Sequence, residues 1–115
     1  MQTLVEVHCK RGRSLREAIA NDPRLGKHGL EMLREHQPGR APGWAKLRGT
    51  QPDRQGTINM VWDASTHVLS CRVVNRGRGK PNLIIGDLVD YLLARHRARI
   101  VAILVVPKQR PTDAN

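Results

Sequence analysis

The sequence predicts an α+β fold: a mixed, mostly antiparallel sheet with helices packed on one face, loosely ferredoxin-like with an extra strand. Three observations carry that reading. Two β-rich runs, 57–62 and 68–75, are joined by Asp63-Ala64-Ser65-Thr66-His67, a connection of hairpin length. Leu83, Ile84, Ile85, Leu88, Val89, Leu92 and Leu93 recur at helical spacing through Arg95, in a stripe wide enough for a well-buried helix. Residues 100–106, IVAILVV, are continuously apolar and rich in β-branched side chains, the pattern of a strand covered on both faces.

The elements follow in order. Residues 3–9, TLVEVHC, alternate loosely and run into the basic turn Lys10-Arg11-Gly12-Arg13, so a first strand is expected. Ser14 and Glu17 have the spacing of a capping box, in which each side chain satisfies a free donor at a helix start. Leu15, Ala18 and Ile19 then share a face, and Asp22-Pro23 stops a helix from about Leu15 to Asn21. Residues 30–36, LEMLREH, have helical propensity, but their place between Gly29 and Pro38-Gly39 also permits a strand; helix is preferred. A loop, QPGRAPG, precedes a short alternating stretch from Trp44 to Arg48. The order is therefore β-α-(α or β)-β-β-β-α-β. The crossover through the long helix should leave the last hairpin strand and the final strand parallel.

A chain of 115 residues fits one domain, taken here as residues 1–107 with a frayed tail at 108–115. Its aromatics are Trp44, Trp62 and Tyr91, with no Phe, so the core must be aliphatic. Ile84, Leu88, Leu92, Ile103 and Val105 are expected within it. The opening MQTLVEVHCKRGR holds no apolar stretch of signal-peptide length, and Ile100 to Val106 is too short to cross a bilayer. Cys9 and Cys71 then read as reduced thiols of a cytoplasmic protein.

Charge gives the strongest functional hint. Twenty Lys and Arg against ten Asp and Glu leave a formal charge of +10, an excess that repels itself and that a polyanion would relieve. Alternation suggests where the charge gathers. If the apolar members of each strand face the helices, the open sheet face collects Trp44, Lys46, Arg48, Asn59, Ser70 and Arg72. Cations there could hold phosphates while an indole stacks on a base; the plainer alternative is a solvated face with Trp44 tucked under the adjacent loop. A second group is the glycine loop carrying Arg76, Arg78 and Lys80, just before the long helix. Glycines let backbone approach a ligand, and a helix start attracts phosphate. Arg-Gly-Arg also resembles minor-groove arms. It is not a Walker loop, because Pro81 stands where Ser or Thr should follow Lys80. Arg95, Arg97 and Arg99 form a third cluster, which complements the helix dipole.

No catalytic motif is present. His67 and Cys71, with either His8 or Cys9, make a poor zinc set. Glu6, Asp63, Asp87 and Asp90 are the acids a metal-dependent nuclease could use, with Asp87 and Asp90 on one helix face. The reading favoured by the sequence is a small non-catalytic nucleic-acid-binding protein, with no cofactor, metal, membrane or small-molecule substrate. Its phosphate contacts would come from Arg76, Arg78, Lys80, Arg72, Lys46 and Arg48, with Trp44 and Asn59 beside them. The alternatives are an assembly module, such as a homodimer whose charge serves solubility or an acidic partner, and then the nuclease.

Overall fold

The structure, a computed structural model, describes residues 2–75 and 81–107. The Arg-Gly loop at 76–80 and the tail at 108–115 lie outside the described residues, as does the side chain of Pro81. The elements are β1 (Gln2–Cys9), α1 (Leu15–Ala20), β2 (Leu30–Arg34), β3 (Trp44–Gly49), β4 (Gly56–Asp63), β5 (Val68–Asn75), α2 (Pro81–Arg95) and β6 (Ile100–Val106). The class is α+β. The six strands form one sheet in the order β2-β3-β4-β5-β1-β6. Every neighbouring pair is antiparallel, so the sheet is not mixed at any ladder. β5 and β6 both run against β1, which lies between them; they are therefore parallel to each other but not adjacent.

Local chemistry explains the firm elements. Ser14 caps α1 by accepting the Glu17 amide at 3.2 Å, and Leu15 and Ile19 bury the inner face of that helix. The β4–β5 turn is held by Asp63, whose carboxylate accepts from the Ser65 amide at 2.9 Å and the Ser65 hydroxyl at 2.6 Å. His67 completes the turn with φ 59°, a left-handed conformation, so it stands before β5 rather than in line with Cys71 on it.

The core lies between the helices and one sheet face. Val5 and Val7 of β1, Leu69, Cys71 and Val73 of β5, Ile58 and Met60 of β4, and Ala45 and Leu47 of β3 supply the sheet side. Ile84, Leu88, Tyr91 and Leu92 of α2 cover them, all fully buried. At roughly 1.5–3 kcal/mol for each large apolar side chain removed from water, this layer is the main source of stability.

Besides the mixed pairing, two expectations fail here. Residues 30–34 are a strand, not the preferred helix. Pairing with the open edge of β3 decides the segment: it buries Leu30 and half-buries Met32 while Glu31 stays outside. Gly29, at φ 77°, turns the chain into that strand, a conformation that disfavours any side chain. The second failure is β6. It is an edge strand, not one covered on both faces. Ile103 and Ile100 pack against the core, but Val105, expected to be buried, is 45% exposed and Val101 is 67% exposed.

Candidate nucleic-acid interface

Ladder register decides which side chains share the helix-free face. Lys46 of β3 lies opposite Asn59 of β4, and Asn59 lies opposite Arg72 of β5, forming one row across three strands. Two strand spacings, about 10 Å, separate the two cations. Trp44, Val61, Ser70 and Glu6 form the next row, and Glu31, Arg48, Thr57 and Val74 the row on the other side. The face assignments read from alternation thus agree with the register.

The cations on this face are not equivalent. Arg48 is held by Glu31 through an ion pair at 2.8 Å. Lys46 and Arg72 make no ion pair or side-chain hydrogen bond among the described residues. Glu6, the acid nearest Ser70 in the register, is paired with His8 at 3.3 Å. A recess of about 270 Å³ opens between the rows, bordered by Arg40, Trp44, Asn59, Ser70 and Arg72, with Leu4 and Val61 as its apolar wall. It brings two guanidiniums, a hydroxyl and an amide around one volume, a donor-rich set suited to an anion.

Trp44 is not a free stacking surface. It is only 2% exposed, and the guanidinium carbon of Arg40 lies 5.0 Å from its ring centroid. The plainer sequence alternative, an indole under the adjacent loop, is the one realised. Arg40 itself was missed by the sequence reading, because a cation within a Pro-Gly loop carries no periodicity. Arg76, Arg78 and Lys80 fall outside the described residues and follow β5 directly in the sequence.

The remaining candidates are dispersed. Asp87 accepts from Arg54 at 2.7 Å, Asp90 pairs with His28 at 3.4 Å, and Asp63 holds its turn. Among the described residues, no group of three or more His, Cys, Asp or Glu is placed to hold a metal ion. Burial pushes the Asp87 carboxyl up, with Arg54 opposing that shift. Cys9 and Cys71 are free thiols, and burial pushes Cys71 up to about 12. Of the arginine cluster after α2, Arg95 reaches Asp22 at 3.2 Å and Arg99 donates to the Arg13 carbonyl.

A buried polar cluster on the helix side escaped the sequence reading. Tyr91 donates to Asp22 at 2.8 Å and lies 2.9 Å from Nε2 of His96. The single Tyr91 proton goes to the carboxylate, so His96 donates from Nε2. Burial pushes the Asp22 carboxyl up, but hydrogen bonds from the Arg24 amide, Tyr91 and Arg95 outweigh it and bring it down to about 2. This cluster ties the chain after α1 to the end of α2. It spans residues 69 positions apart, so no local pattern announces it.

No protein-family model matches the chain, and comparison with curated proteins and with solved structures finds no match. Among the described residues, no helix is long and apolar enough to cross a membrane.

Proposed function

We propose that this protein binds nucleic acid, without catalysis, through phosphate contacts on the helix-free face of its sheet. The observation that carries the reading is the cross-strand row Lys46–Asn59–Arg72, whose two cations lack acidic partners among the described residues. Surface cations without counter-charges on a chain of net +10 favour a polyanionic ligand. Arg40 borders the same recess as Arg72 and adds a further cation beside the row. Arg76, Arg78 and Lys80 extend the basic stretch from the end of β5, and the ligand would continue onto them.

Open antiparallel sheet faces accept splayed single strands, with bases stacked on aromatic rings or guanidinium planes. With Trp44 covered, the stacking group would be the Arg40 guanidinium, backed by the indole. Single strands therefore suit the site better than duplexes. The free thiols fit a reducing, cytoplasmic setting.

An electrophoretic shift panel with single- and double-stranded DNA and RNA, at two salt concentrations, tests the reading. Binding should favour single strands and weaken steeply with salt, because each neutralised phosphate releases counterion. Absence of salt-sensitive binding to all four ligands contradicts it.

A further inference from the structure

The two edges of the sheet are built differently. β2 ends one side with five residues, carries Glu31 and Arg34, and has a register irregularity between Met32 and Arg34. Shortness, charge and irregular pairing are the devices by which edge strands avoid further pairing. β6 ends the other side with seven residues, IVAILVV; it is longer and carries no charge, and its one register shift against β1 falls near its start, at Val101. Its register with β1 is unbroken from Ala102 to Val106. Val101, Leu104, Val105 and Val106 are 67, 49, 45 and 38% exposed, so both faces of the strand show apolar side chains beside a backbone edge that pairs with no other strand among the described residues. On the helix side, β6 also borders a groove of about 380 Å³, with Val89 and Leu93 of α2 facing Val101, Ile103 and Val105.

We propose that β6 pairs antiparallel with β6 of a second copy of this chain, joining two six-stranded sheets into one. The strand is self-complementary about Ile103. A two-fold axis there sets Val101 against Val105 of the second copy, and Ala102 against its Leu104, small against large. Val101, Ile103 and Val105 share the helix-side face, so each copy brings apolar side chains to the other's groove. The strand itself carries no charge, so two chains of net +10 pair along a neutral backbone edge, although Arg97 also lines the groove beside it. Residues 108–115, KQRPTDAN, offer no large apolar side chain for the groove, so this segment is a poor occupant.

Sedimentation of the full chain, without nucleic acid, tests this. The mass should rise with concentration from 12.9 kDa to twice that value. The dimer fraction should also rise with salt, because the copies repel each other. That dependence is opposite in sign to the one expected for phosphate binding, so either idea can fail alone. Val101→Lys with Val105→Lys should return the chain to 12.9 kDa at every concentration. Val101→Lys alone, at the most exposed position of the strand, keeps the test open if the double variant misfolds. In the wild type, amide exchange across residues 101–105 should slow as concentration rises. A chain that stays monomeric throughout overturns the proposal, as does a dimer that survives the lysine substitutions. Protection of β6 that does not change with concentration would mean that the edge is covered within one chain, which also overturns it.

Discussion

The guanidinium of Arg40 covers the indole of Trp44, with 5.0 Å between the guanidinium carbon and the ring centroid. The indole is buried at the start of β3, so its role is first a packing one. Trp44→Ala should cost about 3–5 kcal/mol in urea unfolding, the range for deleting a buried aromatic. Arg40→Ala removes a surface cation–π contact and should cost only about 0.5–1 kcal/mol. A Trp44→Ala loss below that of Arg40→Ala would show that the ring is not packed as described.

The same logic separates α2 from β6. Leu88 is fully buried, and Leu88→Ala should destabilise by about 2–5 kcal/mol. Val105→Ala, at a half-exposed edge position, should stay within about 0.5 kcal/mol in the monomer. Denaturant midpoints at equal m-values, taken at low protein concentration, give the comparison. Equal losses would mean that β6 is covered on both faces after all.

Asp22 and His96 make the fold acid-sensitive in two steps. Burial first, then Arg99 and Arg95, lower the His96 pKa, while Asp22 opposes them. Folding therefore favours neutral His96, and this stability is present above about 6.5, the ordinary histidine value, and is lost as pH falls from there toward the lower folded value. Asp22 is depressed to about 2, so its contribution is present above the ordinary carboxyl value and is lost as pH falls from about 4 toward 2. Asp22→Asn should flatten the lower step in a series of melts against pH. Tyr91→Phe takes one donor from a charged acceptor and should cost about 1.5–3 kcal/mol near neutrality. An unchanged lower step in Asp22→Asn would remove the carboxylate from this role.

Thiol labelling reads the core independently. Cys71 is fully buried and pushed up to about 12, so it should not react in the native state. Cys9 is partly exposed but also raised, by burial against an opposing Arg99, so it should react slowly at neutral pH. Full labelling of both should appear only on unfolding. Fast native reaction of two thiols would contradict the packing of β5 against α2.

Where local chemistry decides structure, the sequence is a sufficient guide. Ser14 and Glu17 mark the start of α1, the Asp63–His67 turn marks the hairpin, and the α2 stripe names Ile84, Leu88 and Leu92 as core. Alternation also places Lys46, Asn59 and Arg72 on one face. What escapes is set by tertiary context. LEMLR suits helix by propensity, and only the exposed edge of β3 makes it a strand. IVAILVV reads as buried because its composition says nothing of whether a further neighbour exists. Arg40 over Trp44 and Asp22 against Tyr91 join segments that share no periodicity.

The salt dependence of single-strand binding, compared between wild type and single alanine variants, decides whether the helix-free sheet face holds phosphate. Arg72→Ala and Lys46→Ala should each weaken binding and reduce the magnitude of the slope of log affinity against log salt by about one unit. Arg76→Ala, Arg78→Ala and Lys80→Ala should act likewise if the ligand continues onto the loop. Arg48→Ala should change the slope less, because Glu31 already neutralises that guanidinium. Unchanged slopes in Arg72→Ala and Lys46→Ala, or a wild-type chain with no salt-sensitive affinity, would contradict a phosphate-binding sheet face.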